Sequence, residues 1–296
     1  MNLLKSEWIK VTTTKSAYWL YAIGIALAVL LAVIIGQFDQ SATDPIAGEA
    51  GGGSDPLFAI LGVSAFTVLL VWIAAIVGVT GEYRYHTAKA TYLTTPSRWP
   101  AIVAKTVLFT ILSIVVTAVS VIVALLVAGA LSGNESWTPF SGDGLTYLWR
   151  FPVYAALGTL AVMGLAYIMR NAAGTISLFL VWILALEGMV SLIPRVGEDL
   201  AGWMPFANGD YWTQGEAAKG YITWGEWPAF ALYAAVCVVL WAVGLVMTLR
   251  RGARGFTLAM RRTGPRFRGR VGIDTRSALR SRDDRRNFAQ ARPQHR

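Results

Sequence analysis

Charge, histidine and cysteine are all scarce in this sequence, and each scarcity removes a class of function. Only 15% of the 296 residues are Asp, Glu, Lys or Arg, against about a quarter in a soluble domain. That deficit makes lipid the solvent for much of the chain. The one cysteine, Cys237, lies inside an apolar run, which excludes an internal disulfide and a Cys-based zinc site. The two histidines, His86 and His295, stand far apart, so no His pair can ligate haem or a metal within the membrane. No Gly-x-x-x-x-Gly-Lys-Ser/Thr loop occurs, which excludes P-loop ATP binding by this chain. His-Glu-x-x-His, Gly-x-Ser-x-Gly and paired carboxylates within an apolar run are absent too. An intramembrane hydrolase has neither nucleophile and base nor metal ligands here, so the expectation is a non-catalytic chain that binds no cofactor.

Six long apolar runs are present. They cover about 17–36, 57–80, 101–131, 151–169, 174–193 and 228–249, and about 20 apolar residues suffice to cross a bilayer as a helix. A β-barrel would show ten-residue alternating segments. Continuous runs of about twice that length predict helices, which satisfy their own backbone in hydrocarbon. The expected fold is an all-α polytopic membrane protein of six transmembrane helices. The first run is too long for a secretory signal and no small-residue cleavage site follows it. The third is longer than a bilayer needs, which predicts tilt or extension beyond the membrane, with Lys105 at its start snorkelling to the interface.

Basic residues divide sharply between the two sets of connections. One set, with both termini and the 81–100 loop, holds 23 Lys and Arg, and the other holds only Arg150, Arg195 and Lys219. By the positive-inside rule the first set is cytoplasmic, which predicts both ends inside; the expected location is the cell (plasma) membrane. The overall charge of +9 belongs to the end of the chain. Residues 250–296 carry fifteen Arg, no Lys and three Asp, a net of +12, so the preceding 249 residues net −3. This tail lacks sustained apolar periodicity and is expected to be disordered. Arg250, Arg251 and Arg254 directly follow a span and are expected to face anionic lipid, each contributing about 1 kcal/mol near the surface. Nucleic acid could also bind such a run, but its position favours lipid, and no specific nucleic-acid partner is expected.

Several segments carry candidate functional residues. Leu4, Trp8 and Val11 recur at helical spacing among Lys5, Lys10 and Lys15, which predicts an amphipathic helix at the inner interface, with Trp8 at headgroup depth and Lys10 and Lys15 toward lipid phosphates. An ordinary basic flank to the first span is the alternative. Glu187 is the one ionisable residue read as deep within a span. It either lines a substrate path or gate, or makes a structural hydrogen bond to a neighbouring helix or to Arg150. Glu82 either braces the 81–100 loop through Arg84 or backbone amides, or simply meets water, and residue type alone favours water. The segment 194–227 is rich in Trp and Tyr, which predicts a stretch lying on or dipping back into the outer leaflet; a small lid with its own packing is the alternative.

Three stretches resemble one family. They are Ser6-Glu7-Trp8-Ile9-Lys10 before the first span; Gly81-Glu82-Tyr83-Arg84 with Thr87, Thr95-Pro96-Ser97-Arg98 and Lys105; and Arg170-Asn171-Ala172-Ala173-Gly174 followed by Val181-Trp182 and Glu187. Over residues 1–249 the arrangement is similar to ABC-2 type transporter permeases. The resemblance implies a permease subunit working as a pair, homo- or heterodimeric, with two copies of a separate ATPase that carries ATP and Mg. It implies an ATPase-coupling helix at about 83–95, which makes Glu82, Tyr83, Arg84, Thr87, Lys89, Thr95 and Arg98 the coupling candidates. It also implies an interfacial helix before span one, re-entrant helices within 194–227, and export of a drug-like, lipid or peptide substrate. The Arg-rich tail lies outside the shared pattern. A membrane anchor whose tail recruits lipid or nucleic acid is the alternative reading.

Overall fold

The computed structural model describes residues 7–9, 11, 15–42, 55–84, 99–133, 137–140 and 142–262, with backbone alone at 15, 16, 39–42 and 251–262. Among them no strand occurs, and six helices are long and apolar enough to cross a membrane. The described residues are therefore all-helical outside their turns, with the spans of a multi-pass membrane protein. Residues 1–249 form one compact unit and 250–296 a second.

Span one is α1 (Lys15–Ala42). Span two opens with a short helix, α2 (Pro56–Ala59), where Asp55 caps the first turn by accepting from Leu57 N at 2.8 Å and Pro56 supplies the preset φ of a first helical position. A turn at Ile60 and a π-helical stretch, Val63–Val68, separate α2 from α3 (Leu69–Arg84). The membrane-crossing part accordingly runs Val63–Arg84 rather than 57–80. Span three is α4 (Trp99–Ser132) and span four α5 (Gly142–Met169). α5 begins well before the expected residue 151. Arg150, just before the expected start, lies inside the helix because Glu226 neutralises it at 2.8 Å. Span five is α6 (Ala172–Leu180), a π-helical stretch Val181–Leu186, and α7 (Glu187–Val190). Two shorter helices follow, α8 (Gly197–Gly202) and α9 (Pro205–Gln214), then a 3₁₀ turn, Gly215–Ala218. Span six is α10 (Glu226–Arg262), whose helical backbone continues through Arg250, Arg251 and Arg254 beyond the expected end at 249. Residues 263–296 of the tail lie outside the described set.

Span four is the most buried of the six and forms the axis of the first unit. Its small residues let neighbours close on it. A Cβ at Gly158 would collide with the Trp72 ring of α3, and one at Gly164 with the Leu240 carbonyl of α10. Trp72 then donates its indole N–H to the Ala155 carbonyl at 2.9 Å, which satisfies its polar end inside the bundle. Around it lie Tyr154, Phe179 and Phe206 at ring separations of 5.4, 5.5 and 5.6 Å. Tyr233 of α10 stacks on Tyr154 at 5.0 Å. Spans two, four, five and six and α9 thus meet near one aromatic cluster, with Phe109 of α4, in span three, packed into the same core. Gly158 and Ala161 permit close helix contact inside this chain, whereas Ala22 and Ala26 of span one are exposed.

Candidate functional site

At the end of the bundle where span one begins, three chain segments converge on one ammonium group. Lys105 Nζ lies 3.0 Å from a Glu7 carboxylate oxygen and 2.7 Å from one of Glu82. Glu7 belongs to the helical residues before α1, Glu82 to the last turn of α3 and Lys105 to the second turn of α4. Glu7 and Lys105 are only 2% and 6% exposed. Two expectations are corrected here. Lys105 does not snorkel out to the interface, because two carboxylates inside the bundle end already supply its counter-charge. Glu82 is not a solvated carboxylate, because Lys105 binds it at 18% side-chain exposure. The triad sets two carboxylates against one ammonium, so removal of Lys105 would take away the positive charge that both carboxylates share.

The next residues extend this arrangement sideways. The Arg170 guanidinium sits 5.1 Å from the centre of the Tyr83 ring, a cation–π contact. Arg170 adopts φ +56°, a left-handed conformation that reverses the chain between spans four and five. Asn171 then caps α6, its side chain accepting from Gly174 N at 3.4 Å while its carbonyl accepts the Thr175 hydroxyl at 2.7 Å. Spans four and five are therefore joined by a tight turn at Arg170 and Asn171. Arg84 is exposed, as are Trp8 and Ile9 at 50% and 52%. Thr87, Lys89, Thr95 and Arg98 lie outside the described residues, as does Lys10, and the side chain of Lys15 is likewise outside them. Of the coupling candidates, the structure brings Glu82 and Tyr83 into one cluster with Glu7, Lys105 and Arg170.

Glu187 has a different role at the far end. Its carboxylate accepts from Phe206 N at 3.1 Å, Ala207 N at 2.7 Å and the Trp182 indole at 2.8 Å. These two amides open α9, whose own preceding residue, Met204, makes no capping bond. A carboxylate from span five thus satisfies the orphan N–H groups and the positive end of the α9 dipole. Of the two readings of Glu187, the geometry realises the structural hydrogen bond to a neighbouring helix; Arg150 pairs with Glu226 instead. Glu187→Ala is expected to cost about 2 kcal/mol through loss of this cap, with Glu187→Gln intermediate. Thermal unfolding in detergent, followed by size-exclusion chromatography, measures both.

The aromatic residues of 194–227 divide between two jobs. Phe206, Tyr211 and Trp212 are buried, whereas Trp203, Tyr221 and Trp227 are exposed. Arg150 anchors this region by donating to the Trp212 carbonyl at 2.7 Å. Beside it a cavity of about 400 Å³ is lined by Asp55, Asp143, Glu216 and Glu226 together with Tyr147 and Arg150. Three of its acidic groups are engaged locally: Asp55 accepts from Tyr147 at 3.0 Å, Glu216 from Lys219 at 2.9 Å, and Glu226 pairs with Arg150 at 2.8 Å. Among the described residues no group of His, Cys, Asp or Glu is arranged to hold a metal ion.

Sequence reasoning gave Glu7 no role beyond its place in the first family-like stretch and passed over Asp210. Glu7 carried a signal, being the acidic residue among lysines in the first segment. Asp210 lies in α9, amid the aromatic residues that drew attention to 194–227. No protein-family model, curated protein or solved structure matches the chain.

Proposed function

We propose that this chain is the membrane permease subunit of an ATP-driven exporter, powered by a separate ATPase. Two permease chains pair, each with one ATPase that carries ATP and Mg, in the cell membrane with both termini in the cytoplasm. The observation that carries this reading is the Glu7–Lys105–Glu82 triad. It braces the end of span two at the point where the polar connection to span three emerges, and a docking segment that must take a push needs a firm base. The six-span architecture and the helices between spans five and six accord with the same resemblance. The small connections at the far end suit a drug-like, lipid or peptide substrate leaving the membrane better than capture by a large receptor.

Purification of the tagged chain in mild detergent tests the reading directly. A nucleotide-hydrolysing subunit is expected to accompany it, and a Glu82→Ala/Arg84→Ala variant is expected to lower membrane-stimulated ATP turnover at least several-fold. A chain that purifies without an ATPase sinks the proposal. Turnover unchanged in the double variant removes these residues from coupling.

A further inference from the structure

We infer that Lys105 is a positioning residue that makes the first segment of the chain, the exit of span two and the start of span three move as one unit. The coupling consequence rests on the permease reading above; the mechanical claim does not. Three observations carry it. One ammonium bonds two carboxylates at 3.0 and 2.7 Å, and these come from segments far apart in sequence. Glu7 is buried while its neighbours Trp8 and Ile9 face outward. Val11 adds apolar packing against the bundle, so the ion pair of Glu7 and the packing of Val11 both tie the first segment to it. Finally, Glu82 lies two residues before the end of α3, so any displacement of the chain that follows Arg84 reaches Glu82 within one helical turn.

Apolar residues of similar volume would hold such a junction at no lower stability, because burying charges offsets most of their attraction. What the ion triad adds is direction. Each carboxylate must stay within bonding distance of the same nitrogen, so the three backbones keep one relative register. A displacement of the span-two exit then pulls Lys105, and through it both α4 and the first segment. Apolar packing alone would allow these elements to slide past each other.

The test uses the full chain in lipid nanodiscs with its co-purified ATPase, comparing wild type with Lys105→Met, Lys105→Arg, Glu7→Gln and the inverted triple variant Glu7→Lys/Lys105→Glu/Glu82→Lys. Hydrogen–deuterium exchange reports the mechanical link without any substrate. In Lys105→Met, amide exchange at residues 7–11 is expected to rise about tenfold through local opening. Permease-dependent ATP turnover is expected to fall by a similar factor while the ATPase still co-purifies. Lys105→Arg keeps the charge and is expected to retain most of both, and the inverted triple variant to recover at least half. Wild-type exchange at 7–11 in Lys105→Met overturns the mechanical claim, and raised exchange with unaltered turnover overturns its coupling consequence. An absent ATPase in wild type overturns the permease reading alone, leaving exchange to judge the link. If Lys105→Met aggregates, Glu7→Gln decides: exchange rises at 7–11 with 76–84 unchanged if the link exists, and stays at the wild-type level if it does not.

Discussion

Gly164→Val is expected to detach span six from span four and to destabilise the protein by about 3 kcal/mol, the upper end of the usual range for forced overpacking. The two helices cross backbone against backbone. A Cβ on Gly164 would strike the Leu240 carbonyl, and one on Gly244 would strike the Gly164 carbonyl, so each glycine makes room for the other strand of the crossing. Neither obstacle is the movable end of a side chain. The helices must separate, and separation opens the contact of Tyr233 with Tyr154 and the bond from the Tyr233 hydroxyl to the Tyr154 carbonyl at 2.9 Å. Lipid tails cannot replace this fit, because association of helices in a bilayer depends on close packing rather than on expulsion of water. Gly164→Ala is expected to cost less, since the methyl is smaller and alanine favours the helix by about 1 kcal/mol over glycine. Gly81→Ala provides the control: nothing lies within 4 Å of a Cβ there, so only the helix preference remains and stability is expected to hold or rise. Thermal unfolding of the three variants in one detergent reads the series. Equal losses for Gly164→Val and Gly81→Ala would show that the crossing does not depend on this fit.

The spans were legible because a bilayer demands long apolar runs and little else produces them. All six appear, with ends displaced where a polar residue sat inside a helix. Arg150 is the clearest case: a charge in sequence reads as a boundary, yet a partner 76 positions later, Glu226, lets it remain within α5. The same physics hid the candidate site. Hydropathy treats Glu7, Glu82 and Lys105 as three separate surface charges, and nothing local reveals that they share one buried position. Glu187 illustrates an intermediate case. Its isolation in an apolar run flagged it, but the amides it caps belong to a helix some twenty residues later. Thr87 and Thr95-Pro96-Ser97-Arg98, which carried part of the family resemblance, lie outside the described set, whereas Glu82, Tyr83 and Lys105 at the base of that connection lie within it.

Stability should also fall as pH rises through the neutral range, and Asp210 is the reason. It lies on α9, outside the six spans, where burial pushes its carboxyl from 3.8 up to about 7. A bond from the Tyr154 hydroxyl offsets part of that rise, and the nearby Glu187 charge adds to it. The folded protein therefore holds this proton more tightly than the unfolded chain. The stabilisation is complete below about pH 4, the unfolded value, and is lost progressively until about pH 7, above which the curve flattens. Asp210 is partly exposed as a residue, so the full shift is discounted to about 2–4 kcal/mol between those limits. Asp210→Asn is expected to abolish this slope: equal to wild type near pH 5, and more stable by about 2 kcal/mol at pH 8, since the amide has no charge to bury. Tyr154→Phe should act in the opposite sense, because losing the hydroxyl removes a bond that favours the ionised carboxyl and so deepens the loss at high pH. Thermal midpoints of all three proteins across pH 5–8, in one detergent and one salt concentration, decide the matter. Parallel curves for wild type and Asp210→Asn would mean that the carboxyl reaches water freely and that α9 is seated less deeply than its contacts with Tyr154 and Tyr233 require.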